Sequence, residues 1–356
     1  MDNAQTFSDR LLNWFDQYGS KDLPWQQDTT AYRVWLSEVM LQQTQVKTVI
    51  PYFEKFTQRF PTVNQLADSS EDEVLHLWTG LGYYARARNL HKAAKIVTEQ
   101  YNAELPATQD ELEALPGIGR STAGAILAIA YHEPASILDG NVKRVLARYK
   151  GIEGWPGQKS VADKLWEITE ALSPQLRIAD YTQAIMDMGA TLCVRSKPRC
   201  EECPFETDCY ARQRDALASL PGKKPKTIIP VRSTTMLIIE SNTGEFLLHK
   251  RPSQGLWGGL WSFPECSEPE IGNKLLDLCI AEDAKKTQLP TFRHTFTHFH
   301  LDISPLVVKS DSKHQTNVIS ESESSLWYST EKPQEIGLTR PVTKILAQLK
   351  ETGKFV

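Results

Sequence analysis

Two isolated carboxylates and one cluster of thiols are the residues of this 356-residue chain best equipped to do chemistry. Glu38 is the only acid in the run Ser37-Glu38-Val39-Met40-Leu41-Gln42-Gln43-Thr44-Gln45-Val46, with Trp35 and Leu36 just ahead of it. Apolar neighbours disfavour the charged form of an acid, and a raised pKa is what a general acid needs near neutrality. The plain alternative, a solvent-facing helix residue, suits an arbitrary glutamate better than one flanked like this. Asp139 stands in Leu138-Asp139-Gly140-Asn141-Val142-Lys143-Arg144-Val145, ahead of a helical pattern that carries Lys143, Arg144 and Arg148. Alone it reads as a helix N-cap. Paired with a second carboxylate in a different environment, it also fits glycoside-type cleavage, where one group protonates the leaving group and the other steadies a cationic sugar.

Upstream of Asp139 lies Leu115-Pro116-Gly117-Ile118-Gly119, followed by Arg120-Ser121-Thr122-Ala123-Gly124-Ala125. Two glycines opening a helix let backbone N–H groups approach a phosphate, and the helix N-terminus adds partial positive charge. Such a grip ignores base sequence. A tight turn between packed helices explains the hairpin equally well when it is taken alone.

Cys193, Cys200, Cys203 and Cys209 are separated by six, two and five residues. Four thiolates so close can ligate zinc or a [4Fe–4S] cluster. The spacing matches neither paired zinc ribbons nor ferredoxin runs, and ligand chemistry alone slightly favours zinc. Cys266 and Cys279 stand apart and read as ordinary buried thiols.

The elements that must position these groups are helices. Phe7, Leu11, Trp14 and Tyr18 repeat at helical spacing, as do Leu112 with Leu115, and Ile126 with Ile129. Prolines 51, 61, 106, 116, 134, 156 and 174 punctuate the region, each where a helix could begin or end. After the Pro- and Lys-rich stretch 221–230 the pattern changes. Thr234–Glu240 and Glu245–Lys250 read as a hairpin around Ser-Asn-Thr-Gly, Phe299–Val308 and Ser325–Tyr328 as further strands, and Pro269–Asp283 and Arg340–Lys350 as helices. The expected organisation is an all-α domain over 1–213 with a helix-hairpin-helix at 110–131, a linker over 214–230, and an α+β domain over 231–356.

Composition excludes little. Net charge is −4, with 26 Lys+Arg against 29 Asp+Glu up to Pro230 and 14 against 15 beyond it, so no global field advertises nucleic acid. Hydrophobic content of 40% suits a globular protein, and no apolar run reaches membrane-spanning length. The expectation is an intracellular chain with no membrane partner.

The hairpin with a downstream aspartate resembles the helix-hairpin-helix glycosylase superfamily. Trp35 to Val46, together with Leu77-Trp78-Thr79-Gly80-Leu81-Gly82-Tyr83-Tyr84-Ala85-Arg86, narrows the likeness to the MutY family of adenine DNA glycosylases, over essentially the whole chain. The resemblance implies that Glu38 and Asp139 are catalytic, with Trp25 near the adenine pocket. It implies that Gln42, Gln43, Thr44, Leu81 and Tyr83 meet the duplex, and that Gly117, Gly119, Ser121, Asn141 and Lys143 bind DNA. Tyr84 is expected in helix core. The cysteine loop 193–209 would hold one [4Fe–4S] cluster, with Arg195, Lys197 and Arg199 able to reach phosphates.

Ser121 occupies the place where the related endonuclease III family has a nucleophilic lysine, which implies a monofunctional glycosylase that leaves an abasic site. The C-terminal domain would be Nudix-like, reading 8-oxoguanine through Phe296, Thr297 and His298, where the family commonly has Phe-Ser-His. Leu256–Glu265 lies where a Nudix hydrolase carries its metal-binding helix, without the acids that hold Mg²⁺. The implied substrate is duplex DNA with A:8-oxoguanine or A:G mispairs, handled by a monomeric, cytoplasmic, nucleoid-associated protein of bacterial type. Competing readings are an endonuclease III-like pyrimidine glycosylase/lyase, a non-catalytic DNA-structure-binding protein, and a nucleotide hydrolase.

Overall fold

The computed structural model describes residues 3–225, 228–278, 280, 284–309 and 324–351. The chain divides into two compact units, one of Met1–Asp68 with Asn89–Lys226, the other of Ser69–Arg88 with Thr227–Val356.

Helices come first: α1 (Asn3–Tyr18), α2 (Ala31–Leu41), α3 (Val46–Arg59), α4 (Val63–Asp68), α5 (Glu71–Leu77) and α6 (Ala85–Gln100). There follow α7 (Gln109–Ala114), α8 (Arg120–Ala130), α9 (Gly140–Lys150), α10 (Lys159–Leu172), α11 (Ile178–Thr191) and the short α12 (Tyr210–Gln213). The core of the first unit gathers Phe7, Leu11 and Phe15 from α1 with Val142, Leu146, Leu165, Tyr181 and Ile185. The periodicity of α1 ends early, because Tyr18 is exposed at its C-terminus. Pro51 interrupts nothing. It sits inside α3, where burial of Val49, Phe53 and Phe56 outweighs the one lost backbone bond.

The helix-hairpin-helix follows from local chemistry. Thr108 caps α7 by accepting from the Glu111 N–H. The chain then turns over Leu115 to Ile118, with Pro116 and a left-handed Gly117 (φ +82°) in the middle positions that such a turn demands. Gly124 on α8 has to be glycine for another reason: a Cβ there would lie 2.3 Å from the Ser136 carbonyl.

Among the described residues the second unit holds eight strands in one mixed sheet: β1 (Val231–Glu240), β2 (Phe246–Lys250), β3 (Trp261–Ser262), β4 (Glu265–Cys266), β5 (Lys285–Gln288), β6 (Phe292–Thr295), β7 (His300–Lys309) and β8 (Ser325–Tyr328). The path is β3-β2-β1-β7-β5, with β4 on β1, β6 on β7 and β8 on β2. β1 and β7 run parallel in register from Val231↔His300 to Glu240↔Lys309. α13 (Ile271–Asp277) buries Leu275 against Leu237, Ile239 and Val308, and α14 (Arg340–Glu351) buries Val342 and Ile345.

α13 is shorter than the expected Pro269–Asp283 helix, and Cys279 lies outside the described residues. Cys266 is half-buried in β4. The segment from Leu256 forms a turn running into β3 and β4, not a helix.

Where the sequence suggests one continuous helical domain to residue 213, Ser69–Arg88 groups instead with the strands. Side-chain chemistry explains this. Asp72 pairs with Lys250 at 2.8 Å and accepts from the Trp261 indole at 3.1 Å, while Arg88 donates to the Gly258 carbonyl at 2.6 Å. No described helix is long and apolar enough to cross a membrane.

Candidate active site

A cavity of about 610 Å³ in the helical unit is lined by Trp25, Glu38, Gln42, Gln43, Ser121, Asp139 and Asn141, together with Arg144, Gln183, Met186 and Asp187. Residues scattered over 160 positions of sequence thus share one wall. α2 supplies Glu38. Burial pushes its carboxyl up to about 8, and the nearby charge of Asp139 pushes in the same direction.

Asp139 is the N-cap of α9, accepting from the Val142 N–H at 2.7 Å, and it also lines the cavity. The two readings of this residue are therefore compatible. Burial raises its pKa, opposed by the backbone N–H groups of Val142 and Asn141 and then by Arg144 and Lys143. Ser121 accepts from the Leu138 N–H at 3.0 Å, so its hydroxyl holds the backbone just ahead of Asp139. Asn141 accepts from Arg144 at 2.8 Å.

Trp25 is buried and meets Phe53 edge-on with ring centroids 5.5 Å apart, so it is both core and cavity wall. Sequence reasoning missed the part of the lining that α11 supplies. Asp187 is 7% exposed, accepts from the Ser20 backbone N–H and from Gln183 (2.8 Å each), and has its pKa raised by burial. The available signal was an acid between Met186 and Met188 with Gln183 one turn earlier.

Of the other expected contacts, Gln43 also lines this cavity, whereas Thr44, Leu81 and Tyr83 do not. Gln43 is exposed at the α2–α3 corner with φ +58°, a costly backbone for a non-glycine, and Thr44 donates to the Gln42 carbonyl. Tyr83 has φ +50° and is 48% exposed. Arg86 underlies its loop, donating to the Gly82 carbonyl at 3.0 Å with its guanidinium against the rings of Trp78 and Tyr83. Leu81 is buried, its side chain in the core. Tyr84 is half-buried in the turn before α6, its hydroxyl accepting from the Gly80 N–H, and is not helix core.

Gly119 begins α8 without a side-chain cap, and a Cβ there would meet no protein atom. Lys143 lines an adjoining basic groove of about 860 Å³ with Arg144, Arg148, Arg195 and Lys197; Gly140 and Arg144 line both cavities. Arg144 and Arg148, grouped with Lys143 on the helical pattern, also bond inward. Arg144 donates to the carbonyls of Cys193 and Gly189, and Arg148 to those of Val194, Leu217 and Leu220.

Cys193, Cys200, Cys203 and Cys209 surround a small cavity of about 30 Å³. Burial pushes the Cys203 thiol up to about 12 and raises Cys200 and Cys209 as well. Arg148 also lies 3.4 Å from the Cys193 sulfur. Among the described residues no three His, Cys, Asp or Glu side chains already close on a single metal-sized point.

In the second unit, Phe296-Thr297-His298-Phe299 is the tip of the β6–β7 hairpin, closed by the Phe296 N–H donating to the Phe299 carbonyl at 2.9 Å. Thr297 and His298 are exposed there.

The model of the HhH-GPD superfamily of base excision DNA repair proteins matches residues 36–171, and a NUDIX domain model matches 234–348. Adenine DNA glycosylase of Buchnera aphidicola subsp. Acyrthosiphon pisum is 40% identical over 350 residues, covering 97% of this chain and 98% of that relative. Adenine DNA glycosylase of Homo sapiens is 38% identical over 311 residues, covering 72% and 57%. Among solved structures, a thermostable thymine-DNA glycosylase superposes with a TM-score of 0.54 at 25% identity, covering 59% of this chain and 97% of that one. An endonuclease III–DNA covalent intermediate, at 22% identity and a TM-score of 0.51, shares the helical fold over 60% of this chain and 99% of that one. The chain belongs to the adenine DNA glycosylases of base excision repair, with a helix-hairpin-helix glycosylase region followed by a NUDIX domain.

Proposed function

We propose that the protein is a monofunctional glycosylase that extrudes adenine mispaired with 8-oxoguanine or guanine and hydrolyses its bond to deoxyribose, leaving an abasic site. The observation that carries this reading is the sharing of one cavity by Glu38, protonated up to about pH 8, and Asp139, held on a helix N-terminus. Glu38 gives its proton to the five-membered ring of adenine, and the C1′–N9 electron pair leaves with the base. Asp139 faces the resulting oxocarbenium ion. Glu38, now a carboxylate, takes a proton from the water whose oxygen bonds to C1′. Gln183 and Asp187 offer an amide and a carboxylate to the amino edge of the base. Ser121 carries no amine and its hydroxyl is engaged with Leu138, which supports hydrolysis over Schiff-base chemistry.

DNA would be held by the uncapped N-terminus of α8 at Gly117 and Gly119, and by Asn141 and Lys143. Gln42, Gln43, Thr44 and Tyr83 would fill the gap that the flipped base leaves. Two of these four, Gln43 and Tyr83, sit in left-handed backbone, strain of the kind that marks functional sites.

The donor set fits one [4Fe–4S] cluster: four half-buried thiols face one small cavity beside the guanidinium of Arg148, which offsets thiolate charge. When bound, the cluster supplies a staple that ties Cys193, Cys200, Cys203 and Cys209 together. Phe296, Thr297 and His298 would meet the base opposite adenine, and the domain division remains that of a glycosylase region, a linker and a lesion-reading region.

The test is single-turnover release of adenine from A:8-oxoguanine and A:G duplexes, with and without alkali. Abasic product that breaks only after alkali is expected. Strand breaks without alkali, trapped by borohydride as a covalent adduct, would overturn the monofunctional reading.

A further inference from the structure

The segment Leu256-Trp257-Gly258-Gly259 follows β2 where a Nudix hydrolase would begin its metal-binding element, yet it makes a turn around a buried tryptophan. Trp257 is 8% exposed and adopts φ +53°, a backbone that costs a bulky residue energy and persists only where its surroundings enforce it. The enforcement is visible. Arg251 donates through Nε to the Leu256 carbonyl at 2.8 Å and through Nη1 to Glu265 at 2.7 Å, while its guanidinium faces the Trp257 ring at 5.6 Å. On the other side, Arg88 donates to the Gly258 carbonyl at 2.6 Å. Gly258 admits no side chain, since a Cβ would lie 2.4 Å from the Ser253 carbonyl oxygen.

The clamped indole packs against the β6–β7 hairpin. Its centroid lies 5.4 Å from His294 and 5.2 Å from Phe296, and those two rings meet edge-on at 4.6 Å. Phe296 in turn stacks on Phe299 at 4.7 Å, and Arg232 faces the far ring at 4.6 Å. Both ends of the hairpin tip, Phe296 and Phe299, are thereby fixed, while Thr297 and His298 between them stay exposed. Aromatic contacts of this kind favour particular ring orientations, so they transmit position and not merely burial.

We propose that Trp257 is a positioning residue for the lesion-reading tip: held by Arg251 and Glu265, it fixes Phe296 so that Thr297 and His298 address the base opposite adenine in one geometry. This rests on the reading that the tip meets 8-oxoguanine. A hydrogen bond to a base edge discriminates only when the donor is already aimed, because ordering it on binding consumes the gain. Trp257 therefore sets the preference for A:8-oxoguanine over A:G without touching DNA.

The experiment measures single-turnover adenine excision and duplex affinity for both mispairs with the full chain. Four variants are compared: Trp257→Leu, Trp257→Phe, the tip variant Thr297→Ala/His298→Ala, and Trp257→Leu combined with the tip variant. Loss of one aimed hydrogen bond corresponds to about a tenfold fall in the A:8-oxoguanine to A:G ratio for Trp257→Leu. The ring-preserving Trp257→Phe should lose less than about threefold, and in the tip-variant background Trp257→Leu should cost nothing further. Should Trp257→Leu fail to fold, Arg251→Gln keeps the indole, removes its clamp, and should still lower the ratio by about threefold. The positioning role is overturned if these variants slow both mispairs equally, leave the ratio unchanged, or multiply with the tip variant. A tip variant that itself leaves the ratio intact overturns the underlying lesion-reading assignment instead, and the two failures are thus distinguishable.

Discussion

Replacing Glu38 with glutamine removes the proposed acid and, at the same time, a group whose burial works against folding. The carboxyl titrates near 8 in the folded chain against an ordinary 4.5. Between those values the unfolded state has released its proton while the folded state retains it, so stability falls as pH rises, by about 1.4 kcal/mol per unit. The penalty is nearly absent below pH 4.5 and complete above about 8. Glutamine fills the same volume and never ionises. Glu38→Gln should therefore unfold like the native chain near pH 4.5 and gain on the order of 3 kcal/mol by pH 7.5. With a urea slope of about 3 kcal/mol/M, that is a midpoint shift of about 1 M at pH 7.5, against a few tenths at pH 5. Any pH-independent cost of placing an amide in the cavity cancels between the two measurements. The same variant should lose adenine excision. A shift equal at both pH values, or a loss that grows with pH, would mean that Glu38 is ionised in the folded chain, and it would then have no proton to give.

Asp139→Asn preserves an N-cap for α9 but removes the charge, so it should melt near the native temperature while excision falls at least a hundredfold; Asp139→Ala should also lose about 1 kcal/mol of stability. Native excision should decline about tenfold per unit above pH 8 as Glu38 ionises, measured under single-turnover conditions with duplex saturating. Arg148→Met leaves several buried carbonyls without a donor and should cost about 3 kcal/mol or more, read as a lower melting temperature and less bound iron per chain. Arg86→Lys loses the planar contact with Tyr83 and the bond to Gly82, and should weaken duplex affinity by about tenfold in filter binding or anisotropy.

The sequence made legible what neighbours in the chain determine. Glu38 stood out because its flanks were apolar, and the Pro116–Gly117 turn because only certain residues occupy its middle positions. Asp187 and Gln183 gave only the faint sign of an acid between two methionines, because α11 reaches the cavity through packing on α1, α8 and α9. The strands Ser325–Tyr328 and Phe246–Lys250 were close to their expected bounds, since alternation and the Ser-Asn-Thr-Gly turn are local signals. The grouping of Ser69–Arg88 with the sheet was invisible for the opposite reason, resting on Asp72–Lys250 and Arg88–Gly258 contacts more than 160 positions apart. Within one motif Tyr83 is exposed while Leu81 fills core, a difference that packing decides and the motif's sequence does not.

The two arginines of α9 have a consequence for how the enzyme comes into being. Asp139 caps the first turn of that helix, but its later turns are secured by carbonyls that lie 45 to 72 positions downstream, at Gly189, Cys193 and Leu220. Closing such long loops comes late, after nearby contacts have formed. A ribosome-bound chain ending before Gly189 would carry both carboxylates yet lack every one of these anchors. The placement of α9, and with it that of Asp139, thus depends on segments of chain made after it.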